Sequence, residues 1–420
     1  MNKILQTLFR SPAILILWLS LAPLSFLSAQ QVEYLQIRGQ KESLRLNPEN
    51  KIHAIVVKAE ASLFGELMIE AEPGKFIPTI DEHHWPDDGL FHSNPLIFDE
   101  ALSVFEVTGL PEGSQAGLYL IHVPEVAIEQ KPVSLKTHCE KPEMIYPEVW
   151  RSGLPAPEYN RIWNPVNNII LHHSATSNSL TKHLQLVRSI YTYHTEVNRW
   201  SDIGYNYLIA NDGTIYAGRD PGELIHEDEV LGAHFCASNT GTLGVCILGT
   251  YTDSAPTQEA LEALNQLLSW KTAKDSLPPH GTHPHPLNPQ LDVIAGHRDG
   301  CATLCPGDAL IDLFPQIRHN CNTSLQDCGI FLSINDYLPS NELLISPNPL
   351  YGNTFSVSFP ANTFNQAYLV DMKGTVFFPA IVQRNPGKIT LSTNCPPGIY
   401  LVIVETRTQT FTEKLIKLGR

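Results

Sequence analysis

The sequence has little positive charge. It contains 28 Lys and Arg residues against 43 Asp and Glu residues, which gives a formal net charge of −15 at pH 7. A surface with this excess of negative charge repels phosphate backbones and anionic lipid headgroups. We therefore expect no nucleic acid among the partners of the protein.

Long apolar runs are also scarce. One extends from Pro12 to Leu27, behind the basic residues Lys3 and Arg10 and ahead of the small pair Ser28-Ala29. This order predicts a signal peptide at residues 1–29, with an uncleaved membrane anchor as the alternative. No cysteine lies near the cleavage site, which disfavours a lipid anchor, and no later run is apolar enough to span a bilayer. We expect a secreted or cell-surface protein that passes through the periplasm and has no membrane span once mature.

The length of 420 residues, 43% of them hydrophobic, exceeds one average domain and predicts two or three. Residues 30–140 hold short alternating apolar runs between Pro, Gly, Asn and Asp turns, which predict an all-β, sandwich-like domain of unknown role. Residues 141–325 mix strand and helix patterns and predict an α/β domain with a mixed central β-sheet packed by helices. A linker is predicted at residues 326–340, and strand patterns return at residues 341–420.

Four short motifs of the middle segment contain residues that suit metal binding and catalysis. Zinc favours nitrogen and sulfur ligands, and catalytic zinc sites typically keep one position open beside three protein ligands. His172, His297 and Cys305 can form such a set. The motifs are Leu171-His172-His173, Asp202-Ile203-Gly204-Tyr205, Gly232-Ala233-His234, and Gly296-His297-Arg298-Asp299 followed by Thr303-Leu304-Cys305-Pro306-Gly307.

The two adjacent histidines cannot both be ligands, because side chains alternate along a strand and His172 and His173 then face opposite sides of the sheet. Cys305 precedes an apolar helical pattern, and a helix that begins there would favour the thiolate that binds metal. The residues alone leave alternatives open. Buried histidines are often structural, and Cys305 could instead form a disulfide with Cys301 or Cys321. Eight cysteines in an exported chain can form disulfides, but their spacing does not determine the pairs.

Residues 168–317 resemble the amidase_2 family, which includes the phage lysozyme-type amidases and the peptidoglycan recognition proteins. The four motifs occur together and in the order found in that family. The resemblance implies one zinc ion bound by His172, His297 and Cys305. It also implies hydrolysis of the amide bond between N-acetylmuramic acid and L-alanine in peptidoglycan.

The same resemblance implies roles for the remaining motif residues. Tyr205 and Thr303 would donate hydrogen bonds to the oxyanion of the tetrahedral intermediate, and His234 would lie in the substrate groove. The sequence does not single out the proton donor to the leaving amine, for which Asp299 and His234 are both candidates. A peptidoglycan receptor that does not cut, or a surface adhesin with a vestigial amidase domain, is the alternative to an enzyme. Such receptors generally lack the cysteine ligand.

The C-terminal strand patterns resemble the sorting domain of proteins exported by type IX secretion. The resemblance implies a small β-sandwich at residues 341–420 that contacts the type IX secretion machinery. An ordinary small β-sandwich is the alternative. The matching stretches are Asn348-Pro349, Asp371-Met372-Lys373-Gly374, Pro397-Gly398-Ile399-Tyr400 and the basic apolar tail.

Overall fold

The part of the chain that the computed structural model describes leaves out the predicted signal peptide and residues 333–340 of the predicted linker. Within that part, no helix combines the length and the apolar character that a membrane span requires. The described residues are 31–40, 43–72, 74–82, 88–126, 139–222, 226–332, 343–359, 364–385, 387–406 and 410–418.

Two antiparallel sheets form before residue 126. The first sheet has the order β1-β9-β3-β6, with β7 also paired to β3, and the second has the order β2-β8-β4-β5. Apolar side chains between the sheets, including Ile55 and Val57 from one and Phe105 and Val107 from the other, make their shared core. The strands are β1 (Val32–Arg38), β2 (Leu44–Leu46), β3 (Ile52–Ala59), β4 (Met68–Ala71), β5 (Gly74–Phe76), β6 (Phe91–His92), β7 (Leu96–Leu102), β8 (Phe105–Thr108) and β9 (Gln115–Ile121).

The mixed sheet that the sequence predicts for the middle segment is present. Its order is β12-β11-β13-β10-β14, in which β12 is antiparallel to β11 and the other neighbours are parallel. Asn211-Asp212-Gly213 forms the turn between β11 and β12, and Gly213 has the positive φ of 82° that such a turn needs. The strands are β10 (Asn168–His173), β11 (Tyr207–Ile209), β12 (Ile215–Ala217), β13 (Thr242–Ile247) and β14 (Ile294–Gly296).

Helices cover both faces of this sheet. One face packs against α3 and α5, and the other packs against α2. Thr257 caps α3, because its side chain accepts a hydrogen bond from the Ala260 N–H at 3.2 Å. The helices are α1 (Pro147–Trp150), α2 (His183–Thr192), which continues as a π-helical turn over Tyr193–Val197, α3 (Gln258–Asp275), α4 (Asp308–Ile311) and α5 (Phe314–Asp327).

The N-terminal β region shares a core with the middle region. Strand β3 is buried on both faces: Ile55 and Val57 point between the two β-sheets, whereas Ala54 and Val56 belong to the core that contains Leu186 of α2. This double burial explains why β3 is a continuous apolar run rather than an alternating one. The two regions therefore fold against each other.

A carboxylate from the N-terminal region also caps α2. Asp99, in β7, accepts hydrogen bonds from the backbone N–H groups of Thr181 and Lys182, both at 2.9 Å, and from the Thr181 hydroxyl at 2.9 Å. Burial tends to raise the pKa of Asp99, but these N–H groups outweigh it, and the net direction is downward. The helix begins at His183, and the backbone donors just ahead of its first turn are satisfied by a carboxylate from another sheet.

We expect Asp99→Ala to lower the free energy of unfolding at pH 7 by about 1 kcal/mol, the usual cost of losing a helix cap. A carboxylate whose pKa is lowered by folding stabilises above its unfolded pKa, so the difference should shrink as the pH falls below about 3.9. Urea denaturation of the wild type and the variant, at pH 7 and at a pH below about 3.9, measures this difference in the free energy of unfolding. Glu100→Ala is the matched control, because the Glu100 side chain is 84% exposed and contacts only the Lys182 ammonium at the start of this helix. An equal loss of unfolding free energy in both variants would contradict the capping role of Asp99.

Two antiparallel sheets also pack together in the C-terminal region, with the orders β15-β16-β20-β19 and β18-β17-β21-β22. Their core includes Phe355, Val357, Leu369 and Val402 and contains only residues from this region. The sequence predicts strands in this region, and the region is formed of strands. They are β15 (Leu344–Ser346), β16 (Thr354–Ser358), β17 (Phe364–Asp371), β18 (Val376–Phe377), β19 (Ala380–Asn385), β20 (Lys388–Ser392), β21 (Gly398–Thr406) and β22 (Thr410–Lys417).

Candidate active site

Two adjacent parallel strands of the mixed sheet each end at a histidine. His172 belongs to β10, and His297 follows Gly296 at the end of β14. Because Leu171 of β10 lies opposite Gly296 in a parallel pairing, the carboxyl ends of these strands are side by side. Cys305 reaches the same edge from the loop ahead of α4.

These three residues have the chemistry and spacing of a zinc site. The ligand atoms of His172, His297 and Cys305 all lie within 4.8 Å of one another, and each residue is 2% exposed or less. The Cys305 Sγ is 3.7 Å from the His172 Nδ1. Zinc holds nitrogen at about 2.1 Å and thiolate sulfur at about 2.3 Å, so two such ligands of a tetrahedral ion lie about 3.6 Å apart. The donor set fits one zinc ion with a coordination position left over.

Two other groups of candidate ligands in the described ranges are engaged in other interactions. One contains Cys236 and Cys301 beside His297, but the two cysteines are joined in a disulfide. The other is a set of carboxylates that is ion-paired with two lysines: Asp228, Glu229 and Asp275 with Lys271 and Lys274.

Cys305 is a thiol outside any disulfide. Of the two partners that the sequence left open, Cys301 is bonded to Cys236, and Cys321 is a separate buried thiol in the core below α3. The prediction that a helix begins at Cys305 is wrong by three residues, because α4 begins at Asp308. The sulfur therefore lies ahead of the helix, on the loop that passes the strand ends.

The other two histidines of the motifs have partners inside the protein. His173 faces the opposite side of the sheet from His172, as alternation predicts, and its Nδ1 accepts from the Tyr251 N–H at 3.3 Å. The His234 Nδ1 lies 3.1 Å from the His172 Nε2, and the His234 Nε2 lies 3.4 Å from the Thr242 hydroxyl. His234 is only 5% exposed. The sequence predicts a place in the substrate groove for His234, but its ring is buried behind a candidate metal ligand.

Tyr205 lies beside the candidate metal ligands. Its ring centroid is 5.2 Å from that of His172, and the residue is 7% exposed. Burial raises the pKa of Tyr205 well above its ordinary value, so the phenol keeps its proton at neutral pH. The backbone passes closely here, because a Cβ on Gly204 would come within 2.5 Å of the Ala233 carbonyl oxygen. Only glycine, which has no Cβ, permits this close approach.

Asp299 supports the turn that presents His297. Its Oδ2 accepts a hydrogen bond from the Gly296 N–H at 2.7 Å, which joins the end of β14 to the turn that follows it. One oxygen of the Asp299 carboxylate, which the sequence left as a candidate proton donor, is therefore already hydrogen-bonded to the backbone. This hydrogen bond favours a structural role for Asp299.

Thr303 is hydrogen-bonded to a residue that sequence reasoning missed. Its hydroxyl donates to the Glu82 Oε2 at 2.6 Å and accepts from the Cys305 N–H at 3.1 Å. The Leu304 N–H donates to the same Glu82 oxygen at 2.8 Å. Glu82 belongs to the N-terminal β region, 221 positions before Thr303. No local pattern around Glu82 indicates this contact, since only the packing of the two regions creates it.

Residues 162–308 match the family model described as N-acetylmuramoyl-L-alanine amidase. A human protein of that name is 33% identical over 159 residues, which are 37% of this chain and 25% of the human protein. Peptidoglycan recognition protein 1 of Bos taurus is 31% identical over 162 residues, which are 38% of this chain and 76% of that protein. A crystal structure of Drosophila peptidoglycan recognition protein SD aligns with 41% of this chain and 94% of that chain, at 26% identity and a TM-score of 0.35.

The chain therefore belongs to the family of the peptidoglycan recognition proteins. Its matched part spans a quarter of the length of the human relative and about three quarters of the bovine one.

Proposed function

We propose that the protein hydrolyses the amide bond between N-acetylmuramic acid and L-alanine in peptidoglycan, with zinc as its cofactor. The observation that supports this most directly is the convergence of the His172, His297 and Cys305 ligand atoms at one buried strand edge. Zinc held there would supply a Lewis acid that lowers the pKa of water from about 16 toward about 7 and polarises a carbonyl. The family includes proteins named for this reaction.

Residues around the three ligands can stabilise the oxyanion and orient a ligand. The Tyr205 phenol can donate a hydrogen bond to the oxyanion that forms when the lactyl carbonyl is attacked. His234 can fix the orientation of His172, because its Nδ1 is within hydrogen-bonding distance of the His172 Nε2. The Thr303 hydroxyl donates its only proton to Glu82, so Tyr205 is the donor that we assign to the oxyanion.

The two ends of the chain have proposed roles in export. We propose that residues 1–29 direct secretion and that residues 341–420 are a type IX sorting domain, on the strength of their sequence resemblances. The β-rich structure of the C-terminal region is compatible with this assignment. Both roles would bring the amidase region to peptidoglycan outside the cytoplasmic membrane.

Digestion of purified sacculi tests the proposed reaction. We expect the full-length secreted protein to release stem peptides that begin with L-alanine, without producing new reducing ends, because only the lactyl amide is cut. Mass spectrometry of the peptides and a reducing-sugar assay measure the two products, with Cys305→Ser as the inactive control. New reducing ends without free peptides would contradict the proposal. Sedimentation with sacculi in the absence of any released peptide would favour a receptor that does not cut.

A further inference from the structure

The segment between β5 and β6 of the N-terminal region reaches the candidate active site. The Asp81 N–H donates to the His92 carbonyl at 2.9 Å, which fixes the segment on its own sheet. The Asp81 Oδ2 accepts from the Tyr193 hydroxyl at 2.5 Å, and Asp81 is 4% exposed. The same Tyr193 hydroxyl lies 3.4 Å from the Ser93 carbonyl oxygen. Asp81 is therefore held between the two regions, and this places the next residue, Glu82.

One oxygen of the Glu82 carboxylate is held firmly, and the other is not. Oε2 accepts from the Thr303 hydroxyl and from the Leu304 N–H. Oε1 has no hydrogen bond to any residue within the described ranges, and the Glu82 side chain is exposed. The Thr303 oxygen in turn accepts from the Cys305 N–H. Two consecutive hydrogen bonds thus connect Glu82 to the backbone of a candidate metal ligand.

Amide hydrolysis needs a group that removes a proton from water and returns it to the leaving nitrogen. The groups around the site differ in how well they are placed to transfer this proton. Asp299 accepts a hydrogen bond from the Gly296 N–H, and His234 is buried with its nitrogens near His172 and Thr242. Glu82 combines a fixed orientation with an exposed carboxylate oxygen. Its geometry suits proton transfer best among these groups.

We propose that Glu82, supplied by the N-terminal β region, is the general base and general acid of the amidase site, and that Thr303 is its positioning residue. This inference rests on the proposed function. Glu82 Oε1 accepts one proton from water as the water oxygen bonds to the lactyl carbonyl carbon, and the carbonyl electron pair moves to the oxygen that faces Tyr205. The C–N bond then breaks with its electrons on nitrogen, and Glu82 returns the proton to that nitrogen. The products are a carboxylic acid, which ionises, and the amine of L-alanine.

The first test is Glu82→Gln in the full-length protein, assayed on sacculi. The amide oxygen of Gln can still accept from Thr303 and Leu304, but the side chain cannot carry the proton. We expect kcat to fall by about 10²-fold or more, with zinc content and melting temperature unchanged. Asp88→Asn is the matched control, because the Asp88 carboxylate follows in the same segment and pairs with Lys58. We expect that variant to keep its kcat.

Two further measurements separate proton transfer from a merely structural contact. Formate should restore part of the activity of Glu82→Ala, because a small carboxylate can occupy the vacated space, whereas chloride should not. Thr303→Val should lower kcat, but it should lower it no further in a chain that already carries Glu82→Gln, because Thr303 acts through Glu82. Losses that multiply in the double variant would assign Thr303 an independent role and overturn its positioning role.

The outcomes distinguish this inference from the proposed function on which it rests. If the wild-type protein cleaves sacculi and Glu82→Gln cleaves them equally fast, the role of Glu82 is overturned and the proposed function stands. A faster Glu82→Gln variant would also overturn it, because the carboxylate would then obstruct the site. A wild-type protein that releases no peptide would overturn both.

Discussion

Cys305→Ser is expected to abolish stoichiometric zinc binding and, with it, the release of stem peptides. The Cys305 sulfur lies 3.7 Å from the His172 Nδ1 and is buried with both histidines, so its loss leaves two protein ligands. A serine hydroxyl is a much weaker zinc ligand at neutral pH than a thiolate. Loss of an outer partner of a ligand typically costs about 10–100-fold in metal affinity, and loss of a ligand should exceed that.

Metal analysis of the purified variant measures this effect, beside its melting temperature and its activity on sacculi. Cys395→Ser is the control, because Cys395 is also a buried thiol outside any disulfide but lies in the core of the C-terminal region. It should retain one zinc ion per chain and full activity. Stoichiometric zinc in Cys305→Ser would exclude Cys305 as a ligand and would require a different donor set.

The sequence predicts the mixed sheet of the middle segment, residues 141–325, well because the local signals in that segment agree with one another. The β11–β12 turn has the residues that a tight turn needs, and α3 has its cap at Thr257. The convergence of His172, His297 and Cys305 could also be predicted, although from the family motifs rather than from spacing. His172 meets Cys305, 133 positions further along the chain, and His297, because the parallel strands β10 and β14 end side by side at one edge of the sheet.

Contacts between regions could not be predicted from local patterns. The apolar run of β3 reads as a strand, but only the fold reveals that Ala54 and Val56 cover the middle region. The cap of α2 by Asp99 and the contact of Glu82 with Thr303 each join residues more than 80 positions apart, and neither has a signature in the chain around it. The N-terminal region, for which the sequence suggested no role, thus contacts both the start of α2 and the candidate active site.

The disulfides illustrate the same limit. Cysteines pair when their Cα atoms lie within about 7 Å and their side chains face each other, which depends on the folded chain and not on spacing. Cys236 pairs with Cys301 beside the metal ligands, and Cys139 pairs with Cys328 across 189 positions. The second pair connects the segment ahead of the mixed sheet to the end of α5. Neither pair was predicted, but the first removes Cys301 as a disulfide partner for Cys305.

Tyr205→Phe should lower kcat by about 10²-fold or more while leaving the zinc content and the melting temperature unchanged. The substitution keeps the ring that packs beside His172 and removes only the hydroxyl. If that hydroxyl donates a hydrogen bond to the oxyanion, its loss removes stabilisation of the transition state without affecting a zinc ligand or the packing of the core. Burial raises the pKa of Tyr205, so the donor proton should be present across the neutral pH range.

Tyr207→Phe is the matched control for this prediction. Tyr207 is two residues further along, is fully buried, and packs edge-on against Trp270 with a ring-centroid distance of 6.4 Å, on the face of the sheet away from His172. Its hydroxyl has no hydrogen-bond partner within the described residues, so its removal should leave kcat unchanged and cost no stability. Melting temperature, zinc content and kcat are measured on the same preparation of each variant. If Tyr205→Phe lost stability but retained its turnover per folded molecule, Tyr205 would be a core residue, and another donor would have to stabilise the oxyanion.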